Sequence, residues 1–150
     1  MYRLGYDPRQ HADEMEVKIV YHSLSDNWGV WVPERRMIIV DRGCPAHLVT
    51  PVLAHECDHA EHRDPAGHHP RNEARANLNS ARRLASIAEF DALTSAYTDY
   101  DRICIELGLT REQFTAMAQW RTAQLEQQRR RERDSFRCGL ALHSAYAQIA

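Results

Sequence analysis

Between Val17 and Val40 the apolar positions come in short runs, and from Leu48 onward they recur at three- and four-residue intervals. That change of rhythm predicts a small sheet followed by helices. Val17, Ile19 and Tyr21 alternate with Lys18 and Val20 as in a strand, and Trp28-Gly29-Val30-Trp31-Val32 and Met37-Ile38-Ile39-Val40 flank the turn Pro33-Glu34-Arg35-Arg36 as in a β-hairpin. Leu48, Val52, His55, His59 and His62 then share one helical stripe, while Val49, Leu53, Cys57 and Ala60 form a second, apolar stripe that faces a core. Pro51 admits two helices: a short one capped by Thr50, or a longer one that begins near Pro45 and kinks.

The run Asp64-Pro65-Ala66-Gly67-His68-His69-Pro70 stops this helix and turns the chain. Arg71 to Ala85 reads as the next helix, with Ala74, Leu78, Ala81 and Ala85 on its apolar side and Glu73, Asn77 and Ser80 on the adjoining one. Leu93, Tyr97, Tyr100, Cys104 and Leu107 continue the helical rhythm; Gly108 is a C-terminal cap, and Thr110 with Gln113 makes a capping box for a helix from Arg111 to about Gln128. The expected fold class is α+β, a mainly helical domain with a small N-terminal antiparallel sheet packed on the helix around residues 48–62. Residues 1–128 form that domain, with a helix-turn-helix-like part over 99–128, and 129–150 are an arginine-rich extension beginning Arg129-Arg130-Arg131-Glu132-Arg133 and holding Leu140, Ala141 and Ile149.

Composition narrows the setting. The 150 residues carry a formal charge of −2, so a strongly basic nucleic-acid binder is disfavoured. No charged segment leads into an apolar stretch, and no run of apolar residues is long enough to span a bilayer, so a cytoplasmic protein without a membrane partner is expected. The four cysteines, Cys44, Cys57, Cys104 and Cys138, form no CxxC pair, which favours reduced thiols over a disulfide framework.

The chemistry sits in His55-Glu56-Cys57-Asp58-His59, an HExxH pattern. Histidines at i and i+4 lie about 5–6 Å apart on one helix face, within reach of one zinc ion. The intervening Glu56 points to a neighbouring azimuth, from which it reaches a metal-bound water as general base without taking a coordination site. Cys57, two residues from each histidine, points away from them into the core, and Asp58 reads as a surface charge rather than as a hydrogen-bond partner of a ligand.

Two imidazoles and a water leave one protein ligand missing. Glu73, in the first turn of the following helix and facing back, is the leading candidate, with His62 and Asp64 as alternatives and His68 and His69 in the turn between. The remaining histidines His11, His22, His47 and His143 have no partner at ligand spacing and read as solvated surface.

From Tyr6 to about Arg121 the chain resembles the ImmA/IrrE-type metallopeptidases, in particular the short forms of phages and mobile elements. The likeness rests on Tyr6-Asp7-Pro8-Arg9, on Met37-Ile38-Ile39-Val40-Asp41, on Leu53-Ala54-His55-Glu56-Cys57-Asp58-His59, and on Asn72-Glu73-Ala74-Arg75-Ala76-Asn77 running into Ala81-Arg82-Arg83-Leu84. It implies a zincin-like fold with His55, His59 and Glu73 as metal ligands, Glu56 as base, and a helix-turn-helix repressor as the protein cut. Asp58 departs from it, since that family usually has a small or apolar residue there.

The expected activity is therefore that of a zinc metallopeptidase, with manganese, iron or cobalt also compatible with a His₂Glu donor set. Zinc lowers the pKa of its bound water to about 7, Glu56 takes the proton, and the hydroxide attacks the scissile carbonyl. His22, His68, His69, Tyr97 and Tyr100 are the candidates for stabilising the oxyanion, and the hairpin either binds extended substrate as an added strand or only packs the helix. Two other classes of function compete: a non-catalytic partner-binding protein with a structural or vestigial metal site, and a DNA-binding regulator that reads DNA with the Arg111 helix.

Overall fold

The structure, a computed structural model, describes residues 5–147, with side chains described as far as residue 138. It is a mainly helical α+β fold with a small three-stranded sheet. The chain divides into two compact units, Met1–Met117 and Ala118–Ala150.

The first unit opens with helix α1 (Pro8–Glu14), for which Asp7 accepts a hydrogen bond from the Arg9 amide at 2.8 Å and Pro8 takes the first helical position. Three strands follow, β1 (Lys18–His22), β2 (Gly29–Val32) and β3 (Met37–Asp41), in the spatial order β1-β3-β2. The hairpin is as the alternation predicts: β2 pairs antiparallel with β3 across a 3-10 turn at Pro33–Arg35, closed by Arg36 in the left-handed region at φ 48°. The wholly antiparallel sheet is not, because β1 pairs with β3 in parallel. β3, the strand richest in β-branched residues, takes the buried centre with Ile38 and Val40 fully covered, and the hairpin occupies one of its edges. Only the other edge is left for β1, whose more polar pattern suits it.

Helix α2 (Ala46–Glu61) carries the HExxH segment and contains Pro51, so the longer of the two expected helices forms. Leu53, Cys57 and Ala60 join Ala12, Val17, Trp31, Ile38 and Val40 in one core between α2, α1 and the sheet. Helix α3 (Pro70–Leu84) covers another face of α2 through the small residues Ala76, Ser80 and Ala81, which let the two backbones come close. Helix α4 (Ile87–Ala96) starts on a capping box formed by Ser86 and Glu89.

The helical rhythm through Tyr97 is interrupted. Tyr97 is extended, and Asp99 caps a new helix α5 (Tyr100–Leu107) by accepting from the amides of Asp101 and Arg102. Gly108 closes α5 at φ 67°, and the Thr110–Gln113 capping box opens helix α6 (Arg111–Ala147), both as expected. The first turns of α6 point Gln113, Phe114 and Met117 inward, against Phe90 among others, so that face is occupied by packing.

The second unit is the remainder of α6. Neither proline nor glycine occurs from residue 111 to 138, so the helix passes 128 without a break. The division between units falls instead where apolar burial stops, and every residue from 122 to 138 is exposed. The side chains of Leu140, Ala141, His143 and Ile149 lie outside the described residues. Among the described residues no helix is long and apolar enough to cross a membrane.

Candidate metal centre

His55 and His59 occupy successive turns of α2 and turn their rings together, with Nε2 atoms 3.0 Å apart and ring planes 74° apart. Glu73 reaches them from the first turn of α3, its Oε2 3.2 Å from His55 Nε2 and its Oε1 3.5 Å from His59 Nε2. Donors at about 2.0–2.1 Å from a tetrahedral ion stand about 3.3 Å from one another. The three side chains therefore present two imidazole nitrogens and a carboxylate at the separations one divalent ion requires, and they form a group that could hold one.

Each donor is conditioned by its neighbours. Burial pulls the His55 pKa down, but the hydrogen bond to Glu73 and the charges of Glu56 and Glu73 outweigh it and raise the value. Glu73 is correspondingly lowered to about 2, chiefly by its hydrogen bond with His55. His59, 7 % exposed, has its Nδ1 2.7 Å from Asp64 Oδ2. That nitrogen donates to the carboxylate, so the proton sits on Nδ1 and the Nε2 lone pair faces the centre.

Asp64 is thus behind the His59 ring rather than among the three clustered donors. Helix α2 ends at His62, Arg63 takes φ 53°, and the Asp64 amide returns to the His59 carbonyl at 3.0 Å, which brings the carboxylate to the far side of the ring. His62 also turns away, its Nδ1 donating to the Asp58 carbonyl at 2.8 Å. His68 lies 3.2 Å from Glu73 Oε1 and 3.4 Å from the Asn27 side chain, on the rim of the centre.

Glu56 is 8 % exposed and stands outside the three-donor group. Burial raises its pKa, partly offset by His55 and His59, and the Trp31 backbone on β2 supplies a hydrogen bond that favours its charge. Strand β2 comes this close because of Gly29. A Cβ at Gly29 would lie 2.5 Å from Val52 Cγ1 and 3.1 Å from Glu56 Cγ, so a side chain there collides with the helix beneath the site. Gly29→Ala is expected to lower unfolding stability by about 1–3 kcal/mol in chemical denaturation. An unchanged midpoint would show that β2 backs away freely and that its approach to Glu56 is not built in.

The centre opens into a cleft of about 350 Å³ whose walls include Trp28, Gly29, Glu56, His68, Asn77 and Glu112. Of the five residues considered for stabilising an oxyanion, His68 alone is among the residues lining it. His22 is exposed beside the Ser23 carbonyl, Tyr97 lies against Arg102, and Tyr100 is largely exposed.

Cys57 is buried in the core as its position on the helix predicts, but Asp58 is no surface charge. It is fully buried, because α3 covers the flank of α2 that a single-core reading leaves to solvent. Its oxygens accept from Arg75 Nε and Asn79 Nδ2, each at 2.9 Å. Arg75, Asn79 and Gly29 are the residues that periodicity alone does not single out. The signals available were a glycine inside an apolar strand and polar residues four apart on α3.

No family model matches the chain, and no curated protein matches it.

Proposed function

We propose that this chain is a metal-dependent peptidase of the ImmA/IrrE type, with His55, His59 and Glu73 as ligands of a zinc ion and Glu56 as the general base. The observation that carries the reading is the pairing of two arrangements: three donor atoms turned toward one point, and a buried carboxylate beside them that belongs to no ligand set. A structural metal site has no use for that carboxylate. A divalent ion held there supplies Lewis-acid chemistry, acidifying water and polarising a carbonyl.

The chain's own groups do the rest. A Glu56 carboxylate oxygen takes the proton of water in the cleft and passes it to the departing amine nitrogen, a transfer its raised basicity favours. β2 is an edge strand that lines the cleft, so an extended peptide can be added beside it and lay a scissile bond across the centre. The resemblance points to a helix-turn-helix repressor as the protein cut, and cutting one releases the genes it silences.

The test is a proteome-derived peptide library, together with a helix-turn-helix repressor domain, incubated with zinc-loaded protein and read by mass spectrometry. New termini are expected with zinc, none after chelation, and their return when zinc is restored. Failure to cut either substrate would overturn the peptidase reading in favour of a non-catalytic binding protein.

A further inference from the structure

We infer that Arg75 and Asp58 are positioning residues for the metal centre, acting through Asp64 to keep the His59 proton on Nδ1 and its Nε2 lone pair on the metal side. The inference rests on the ligand assignment above, not on peptidase activity. Asp64 Oδ2 is shared: it accepts from His59 Nδ1 at 2.7 Å and from Arg75 Nη2. The backbone of Asp64 is held on both sides, its amide on the His59 carbonyl at 3.0 Å and its carbonyl accepting from the buried Trp31 Nε1 at 3.1 Å. With the backbone fixed, the guanidinium of Arg75 decides where the carboxylate points.

Arg75 is fixed in turn by Asp58. Its Nε donates to Asp58 Oδ2 at 2.9 Å while Nη2 serves Asp64, so one planar fork bridges two carboxylates and offsets the charge of both. Asp58 is the anchor because it is 0 % exposed and held on its other side: Asn79 donates to its other oxygen at 2.9 Å, and Arg83 Nη1 lies 3.9 Å away. Arg75, Asn79 and Arg83 are four residues apart on α3, one stripe of donors facing one buried acceptor on α2. The same stripe begins two residues after Glu73, so the clamp that orients His59 also fixes the turn that delivers the third ligand.

A neutral imidazole has two tautomers, and the one protonated on Nε2 would place a hydrogen where the ion must sit. The structure blocks it by giving Nδ1 a fixed carboxylate. Lysine at position 75 would keep the charge but could not bridge two carboxylates with a rigid fork.

The experiment is long-range ¹H–¹⁵N correlation of histidine side chains in metal-free protein at mildly alkaline pH, combined with zinc affinity from chelator competition. Wild type is expected to show His59 protonated on Nδ1. Arg75→Met and Asp58→Asn should shift it toward Nε2 and weaken zinc binding about 10–100-fold, with Arg75→Lys between wild type and Arg75→Met. Circular dichroism identifies which variants fold, and if Arg75→Met does not, Arg75→Lys carries the comparison. A folded variant with His59 still on Nδ1 and unchanged zinc affinity would overturn the inference, as would wild type protonated on Nε2. A tautomer that shifts in protein that binds no zinc would support the clamp and overturn the ligand assignment instead.

Discussion

Glu56→Gln is expected to stop peptide hydrolysis while leaving the metal bound. The amide has the size of the carboxylate but cannot take a proton, so the loss should fall on turnover, about 10²–10⁴-fold in kcat, the range for removing a general base. Metal content should hold because Glu56 lies outside the His55, His59 and Glu73 group. Stability of the metal-free protein supplies an independent check. Burial raises the pKa of Glu56, so its ionised form is less favourable folded than unfolded, and the penalty develops as pH rises through the unfolded value toward the higher folded one. Glutamine carries no such charge, so at neutral pH the variant should unfold at the same temperature as wild type or higher. Elemental analysis, kinetics on a cleaved peptide and a thermal melt together decide it. A variant that turns over at the wild-type rate would remove Glu56 from the chemistry, and one that loses its metal would make it a ligand.

The three-donor cluster was legible because it depends on local geometry. Histidines four apart on a helix meet whatever surrounds them, and the Pro- and Gly-rich run from Asp64 to Pro70 had to reverse the chain, which brings a first-turn carboxylate back toward them. What the sequence hid depends on contacts distant along the chain. Asp58 lies between the two stripes of α2, and nothing local reveals that α3 would bury that flank too. Asp64 has the right chemistry for a ligand, and only the left-handed turn at Arg63 sends it behind the ring of His59.

Gln113 shows the same division within one side chain. Its capping box with Thr110 is visible as a local pattern and forms as expected. Its second role is to donate from Nε2 to the Pro51 carbonyl and to Ser80 Oγ, each at 2.8 Å, which ties α6 to both helices of the centre. No sequence window contains that contact. The parallel pairing of β1 with β3 is hidden for a related reason, since strand alternation specifies a face but not a neighbour.

Glu73→Ala should weaken metal binding at the centre. Zinc binding to small protein sites is worth about 10–16 kcal/mol at neutral pH, so losing one of the three proposed ligands should remove roughly 3–5 kcal/mol, about two to three and a half powers of ten in Kd. Acid should act in the same direction on wild type, and the two partners say where. His55 is raised above its usual 6.5, so the stability it contributes to metal-free protein is present below that value and lost as pH rises through the folded one. Glu73 is lowered from 4.5 to about 2, so its contribution is present above 4.5 and lost as pH falls toward 2. In the mildly acid range between, the metal-free protein holds a charged His55–Glu73 pair, and an ion entering must expel the His55 proton. Zinc affinity and the thermal stabilisation zinc confers should both grow from mildly acid to mildly alkaline pH. In Glu73→Ala the metal-free protein should lose the stability that the pair gives in acid. Unchanged zinc affinity in that variant would show that the third ligand lies elsewhere, with His68, 3.2 Å from Glu73 Oε1, next in reach.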